Sequence, residues 1–590
     1  MTRFSAFLCH LTGSLLFLVT SRVDGVSASL RFDVPGFDQT VVFGDSLSDT
    51  GNVRTRTGAI SGGLIDYPSQ TFNYSDGRFT NSSDTTPSSI NYVGVWHEQL
   101  ARTFLHIPPA TYSLSGGTDY AFGGATTEGG ARNVPIVPTP FGDLVISIDD
   151  MGKQVDDYLA SHPINPNALY LLWGGSNDVF NDDSDANVLG AAARIAGLVN
   201  RLATAGARYI MVLNLPPLGT IPASTEPGTI AVRNRASANF RRQLRVDLMT
   251  SMNFLAPQGI TPTLYQVDIW SAMIRLFCNP GIDGFIDTRT ESQGNSNADP
   301  DQFVFWDGVH PTTAGHFWAA RCAHDAITIP VTTPAKALNI STRLFVDTGE
   351  RISIVGFIVT GAVPKRVLIR GIGPSLHASG ISNPLVDPTL SLLDDLQNTL
   401  FTNDNWRDTQ EPEILATGIP PQDNLESAIV VTLGPGSYTA VLAGKNEGTG
   451  NGLVEVYDLE PAANSTLANL STRGFVGTSD DVMIGGLTFS EGDSSLTVLR
   501  AMGPSLAGAG IANPLLDPAI ELHDGNGASI AENDNWRDGQ LQAAQATELA
   551  PADDRESAIV AFLAPGNYTA VVRGNAGTSG VALVEAYSVR

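Results

Sequence analysis

The chain has 590 residues, 42% of them hydrophobic, with 59 glycines and 35 prolines, the composition of a folded, turn-rich protein too long for a single core. Its 60 acidic residues against 34 basic ones give a formal net charge of -26. A surface that acidic repels phosphate backbones and anionic membranes at long range, which argues against nucleic acid as a partner.

Arg3, the apolar run 4–20 and the small-residue spacing of Val26-Ser27-Ala28 predict a secretory signal peptide over residues 1–28, and so a secreted or cell-surface protein. A retained membrane anchor is the competing reading, weakened by the shortness of the run and by Cys9, His10 and Thr12 within it. No later stretch reaches spanning length, so the mature chain is expected to carry no transmembrane segment. Of the three cysteines, Cys9 leaves with the signal peptide. Cys278 and Cys322 form either one disulfide or two buried thiols. No Cys/His cluster has zinc spacing, and no cofactor is expected.

The first domain is expected over 37–330. Val41-Val42-Phe43 reads as a buried strand and Gly44-Asp45-Ser46 as the turn at its carboxyl end. In parallel α/β sheets that end is where ligands bind, and a hydroxyl there can sit at the start of a helix, although Gly-Asp-Ser alone is also an ordinary turn. A polar loop from Gly51 to about Ser89 has the length of a binding loop or lid. Tyr92 to Leu105 reads as a helix, and Thr118 to Thr126 as a strand ending in Gly123-Gly124, where glycine frees an N–H to point at a ligand. Ala168–Trp173 is a second buried strand, closed by Gly174-Gly175-Ser176-Asn177-Asp178. Then come a helix over 186–205, a strand over 209–213, a long amphipathic helix over 229–252 with a solvated basic face, and a strand over 264–268. Alternating strands and helices predict a parallel sheet with helices on both faces. Asp307-Gly308-Val309-His310 precedes a last helix; three residues apart in a turn, the carboxylate can hold the imidazole's tautomer. None of the other histidines outside the signal peptide has an acid at this spacing.

A serine at one strand end, glycines at a second, an asparagine at a third and an Asp/His pair before the last helix are the parts of a serine hydrolase in chain order. The blocks from Phe43 to Asn52, Tyr120 to Ala125, Gly175 to Asp178 and Asp307 to Thr312 resemble those of the GDSL, or SGNH, esterase/lipase family. The resemblance covers the first domain and implies a flavodoxin-like three-layer α/β/α fold of about five parallel strands. It implies Ser46 as nucleophile, His310 as base, Asp307 as its orienting acid, and an oxyanion hole from the N–H of Ser46, the N–H of Gly124 and the amide of Asn177. No Gly-x-Ser-x-Gly elbow occurs, which argues against an α/β-hydrolase.

Past Pro330 short β-rich runs alternate with Gly/Pro/Asn/Asp turns and repeat themselves. Asn339 to Arg343, Gly373 to Leu376, Asp404 to Asp408 and Tyr438 to Val441 each recur 130 residues later, which fits a tandem pair of domains, 336–460 and 466–590. Both are expected to be all-β and sandwich-like. The Asp/Asn runs at Asp404 and Asp534 either bind Ca²⁺ or shape turns. The whole therefore reads as a secreted ester hydrolase, acting on a lipid or an acylated carbohydrate, with two accessory modules whose partner is a polysaccharide or a cell surface. The alternative is a surface-binding protein whose repeats are the functional part and whose hydrolase domain is idle.

Overall fold

The computed structural model describes residues 35–82, 92–139, 142–329, 333, 335–479 and 481–589; the expected signal peptide lies outside them. The chain divides into two compact units, one ending at Val331 and the other running from Thr332 to Arg590.

In the first unit, β1 (Gln39–Gly44), β4 (Ala168–Trp173), β5 (Tyr209–Leu213) and β6 (Thr263–Val267) form a parallel sheet in the order β1-β4-β5-β6. Residues 118–122 run beside the free edge of β1: Val42 N–H donates to Thr118 C=O at 3.0 Å and Tyr120 N–H to Val42 C=O at 2.8 Å. Counting this edge segment, the order in space is 2-1-3-4-5, and the connections reverse direction between β1 and β4. The expected strand over 118–126 is thus reduced to a short edge, because Asp119 turns its carboxylate back onto Thr50 and Ala121.

Strand composition explains the burial. Val41, Phe43, Tyr170, Leu172, Ile210 and Val212 share one core with Met151, Val155, Ile195, Val199, Phe240 and Leu244. These come from α2 (Met151–Ser161), α4 (Asp185–Ala205) and α5 (Pro227–Leu255). The alternate residues Val42, Leu169, Leu171 and Met211 are equally inaccessible, so both faces are covered, as continuous apolar strands require. The helix expected from Tyr92 begins later. Gly94 has φ +82°, Glu98 accepts from the Val95 N–H at 3.0 Å, and the helical turns run from Trp96 to Gln99 and continue as a π-helix over Leu100–Leu105.

Two insertions elaborate the mouth of the sheet. The polar loop after Ser46 contains α1 (Asn52–Ser61), and an antiparallel hairpin is made by β2 (Ala131–Thr139) and β3 (Gly142–Asp149). Val53, Phe79, Phe122, Ala125, Ile146 and Ile148 bury one another in a small separate core, with Tyr67, Val134 and Ile136 packed against it.

The second unit holds both sequence copies in one sheet system of 16 strands with one continuous core. The first strand of copy one, Ala337–Val346, pairs with its own last strand, Gly450–Asp458, and with Met483–Phe489 of the other copy. Reciprocally, Ser465–Val476 pairs with Gly580–Ser588 of its own copy and with Ser353–Gly361 of the first. The two first strands meet in parallel at equivalent residues, Phe345 beside Phe475, and the Thr342 and Thr472 hydroxyls are 2.7 Å apart. Each copy therefore completes the other's sheet, and the boundaries 336–460 and 466–590 fall inside one compact unit. At the Asp404 turn, Lys445 donates to the Asp404 carboxylate at 2.5 Å, whereas at the equivalent place Asn575 donates its amide to Asp534 at 3.0 Å and Asp517 at 3.1 Å. Among the described residues no group of three or more His, Cys, Asp or Glu side chains is arranged to hold a metal ion, and no helix is long and apolar enough to cross a membrane.

Candidate active site

Ser46 lies two residues past the end of β1, where the buried strand gives way to a tight turn. The Ser48 and Asp49 N–H groups both donate to Asp45 C=O at 3.0 Å. The turn is fixed by a buried carboxylate: Asp49 accepts from the N–H groups of Gly51 (2.8 Å), Asn52 (2.7 Å), Val53 (3.1 Å) and, across the cleft, Gly123 (2.9 Å). That last bond ties the Ser46 turn to the Gly123-Gly124 turn. It also consumes the Gly123 N–H and leaves that of Gly124, at φ +83°, with no protein acceptor among the described residues. The Ser46 N–H is likewise unused. Burial pushes the Asp49 carboxyl up to about 6, against its four N–H donors.

Asn177 is the second residue of α3 (Ser176–Asn181), which begins after Gly175 at φ +112°. A β-carbon on Gly175 would come 2.9 Å from the Phe240 ring, so glycine is needed both for the turn and for its packing. The Asn177 amide donates to Ala125 C=O at 2.9 Å, which leaves its second N–H without a protein acceptor among the described residues, and Asn177 lines the cleft together with Ser46 and Gly124.

Past α6 (Ile269–Cys278) and β7 (Asp287–Glu291), Asp307 and His310 lie in the turn between β8 (Phe303–Phe305) and α7 (Thr313–Thr328). The Val309 and His310 N–H groups close the turn onto Asp307 Oδ1 at 2.8 and 2.7 Å. Asp307 Oδ2 meets His310 Nδ1 at 2.7 Å, and His310 Nε2 lies 2.9 Å from Ser46 Oγ. Burial works against the Asp307 charge, but the facing His310 and the hydrogen bonds from His310, Tyr74 and Val309 outweigh it and hold the carboxyl well below the ordinary range. Asp307 is thus an ionised acceptor that fixes the imidazole with Nδ1 protonated and Nε2 free to take a proton. Behind them His316 is fully buried, and burial pushes its imidazole down to about 3, so it stays neutral.

These groups open on a cavity of about 300 Å³ whose walls are mainly apolar. Tyr67, Phe79 and Val134 come from the small insertion core, and Phe180, Leu218 and Met273 from the main domain. The structure brings Ser46, Gly124, Asn177 and His310 to this one cleft, with Asp307 bonded to His310 behind it, at the carboxyl ends of β1 and β4 and beside the reversal of strand order. Sequence reasoning missed Tyr74, whose hydroxyl donates to Asp307 Oδ2 at 2.6 Å. It also missed Phe79, whose ring lies 5.0 Å from that of His310, and the hairpin wall at Val134. Single aromatic residues in a polar loop carry no periodic signal that could have marked them. Cys278 and Cys322 are both thiols rather than a disulfide.

A family model described as GDSL-like lipase/acylhydrolase matches residues 40–323. Among curated relatives, a phosphatidylcholine-sterol acyltransferase of Aeromonas hydrophila is 28% identical over 267 residues, 44% of this chain and 67% of that protein. A GDSL esterase/lipase of Arabidopsis thaliana is 27% identical over 47% of this chain and 76% of its own. Esterase EstA of Pseudomonas aeruginosa is 26% identical over 50% and 47%, so the chain spans only about half of some relatives it matches. A solved member of the lipolytic protein G-D-S-L family from Veillonella parvula aligns over 48% of this chain and 95% of that one, at 14% identity and a TM-score of 0.25, which supports no conclusion about fold. The match to the GDSL-like lipase/acylhydrolase family model thus covers the first unit, over residues 40–323.

Proposed function

We propose that this protein is an exported hydrolase of carboxylic esters with an apolar acyl chain, working through an acyl-enzyme on Ser46. The observation that carries the proposal is the relay from Asp307 through His310 to Ser46 at the mouth of the apolar cavity. A serine hydroxyl is a weak nucleophile at neutral pH and needs a base within hydrogen-bond reach. His310 Nε2 takes the proton as Ser46 Oγ attacks the ester carbonyl, and Asp307 stabilises the imidazolium that forms. The proton then passes to the leaving alcohol, and water activated by the same imidazole releases the acid. The tetrahedral oxyanion is met by the unused N–H groups of Ser46 and Gly124 and the free amide N–H of Asn177. Export is supported by the signal-like pattern of residues 1–28.

The test is a chain-length series of p-nitrophenyl esters on wild type and Ser46→Ala. A buried methylene contributes about 0.8 kcal/mol, so kcat/KM should rise about fourfold per carbon until the cavity is filled. The Ser46→Ala variant should lose activity on every ester. A preference for acetyl over longer chains would count against the apolar acyl site and favour small, polar acyl groups; equal turnover by Ser46→Ala would defeat the catalytic reading and leave the repeats as the functional part.

A further inference from the structure

The segment after α1 returns to the catalytic acid and base along its whole length. Arg54 pairs with Asp66 at 2.6 Å and with Asp76, and Arg78 clamps both oxygens of Glu98 at 2.7 Å. Gly77, at φ +71°, packs so closely on the nucleophile turn that a β-carbon would come 2.9 Å from Gly51 Cα. Thr80 donates to Pro311 C=O at 3.0 Å and Asn81 accepts from the Thr313 N–H at 2.7 Å, which ties the segment to the stretch that follows His310. Between these anchors lie Tyr74 and Phe79. Tyr74 stands edge-on to Trp306 with ring centroids 6.2 Å apart, and Phe79 lies over the His310 ring.

Asp307 has four acceptor positions when ionised, and all are filled. Oδ1 takes the Val309 and His310 N–H groups, and Oδ2 takes His310 Nδ1 at 2.7 Å and the Tyr74 hydroxyl at 2.6 Å. The phenol has no other way to reach the site, since its oxygen touches neither Ser46 nor the cleft surface that the substrate would meet. Taking the catalytic reading above as its basis, we infer that Tyr74 is a positioning residue of this enzyme. Its hydroxyl fixes the Asp307 carboxylate and draws charge from the oxygen that holds His310, so that the segment over residues 62–82 sets how strongly the imidazole keeps its proton.

The physical consequence is directional. A second donor on Oδ2 spreads the carboxylate's charge and weakens its hold on an imidazolium; without that donor the imidazolium is held more tightly and the base is freed only at higher pH. The other titratable groups facing the pair are Tyr67, which feels the charge of Asp307, and Asp45 and His316, which feel or oppose that of His310. Tyr74→Phe removes none of these and keeps the ring on Trp306.

The experiment compares the full-length wild type, Ser46→Ala, Tyr74→Phe and Tyr74→Ala on p-nitrophenyl butyrate from pH 5 to 9, with active sites counted from the p-nitrophenol burst. Tyr74→Phe should lower kcat roughly tenfold with KM unchanged, and its acid limb in kcat/KM should move up by about half a pH unit. Tyr74→Ala should lose more, because the ring packing goes as well. The position of the acid limb does not depend on how much protein is folded, so it decides the matter even where a variant is less stable. With Ser46→Ala inactive, a Tyr74→Phe enzyme matching wild type in kcat and acid limb overturns the role of Tyr74 alone; with Ser46→Ala active, the catalytic reading fails and the role of Tyr74 falls with it.

Discussion

Asn177 offers the sharpest quantitative consequence of the site. One amide N–H of its side chain holds Ala125 C=O at 2.9 Å, and the residue lines the cleft shared with Ser46 and Gly124. In the proposed mechanism Asn177→Ala removes one oxyanion donor, an expected loss of about 3–4 kcal/mol of transition-state stabilisation, or roughly 10²–10³ in kcat. It also releases the peptide that follows Gly124, so its effect and that of any change at Gly124 should not add. Because the oxyanion exists only in the transition state, KM should stay within about twofold. Asn177→Asp keeps the shape but presents an acceptor and a charge to a developing anion, and should be worse than alanine. The assay is steady-state hydrolysis of a p-nitrophenyl ester, with the burst reporting acylation separately from deacylation. If Asn177→Ala kept kcat within about threefold of wild type, or if the loss appeared in KM alone, the oxyanion role would be refuted.

Two further expectations concern stability. Burial pushes the Asp45 carboxyl up from 3.8 to about 7, and its Oδ2 has no hydrogen-bond partner among the described residues; a carboxyl raised in the fold contributes stability that is full below its unfolded pKa and is lost as pH rises through about 7. Asp45→Asn should therefore be more stable than wild type at pH 8, by an amount of the order of, and at most, about 4 kcal/mol, with no such gain at pH 4; urea unfolding giving the same difference at both would contradict this. In the repeat unit, Lys365 and Asp458 form a wholly buried ion pair at 2.8 Å, and the equivalent positions of the second copy hold Ser495 and Ser588 with hydroxyls 2.9 Å apart. Lys365→Ala should cost about 3–5 kcal/mol by stranding a buried carboxylate, while the double change Lys365→Ser with Asp458→Ser should recover most of that; a double variant no better than the single one by thermal melt would show that the pair is not the cause.

How much of this was legible beforehand divides along physical lines. Val41-Val42-Phe43, Ala168–Trp173 and Tyr209–Leu213 are continuous apolar runs, and a run buried on both faces announces itself as a parallel strand. The residues of the cleft were legible because each closes such a strand or opens a helix, where turn chemistry is restricted: Ser46 after β1, Asn177 after β4, Asp307 and His310 before α7. The 118–122 edge was harder, since one neighbour rather than two sets its conformation and Asp119 competes for its backbone. The hairpin from Ala131 to Asp149 was missed because Pro135 and Pro138 interrupt its alternation, and Tyr74 because its partner lies 233 residues away. In the repeats the 130-residue period gave the copies plainly, but not that each first strand pairs with its own copy on one side and with the other copy on its other side. The alternation of a strand does not say which strand lies on each of its two edges, so pairing across the copies leaves no mark in the pattern.

The central claim is that Ser46 carries the acyl group between attack and hydrolysis, and the most direct measurement is the intact mass of the protein quenched in acid during turnover of a slow p-nitrophenyl ester. The expected result is a single adduct of one acyl group, mapped by peptide sequencing to Ser46, absent from Ser46→Ala and accumulating in the same time as the p-nitrophenol burst. Hydrolysis proceeding at the wild-type rate with no adduct, or with the acyl group on another residue, would contradict it.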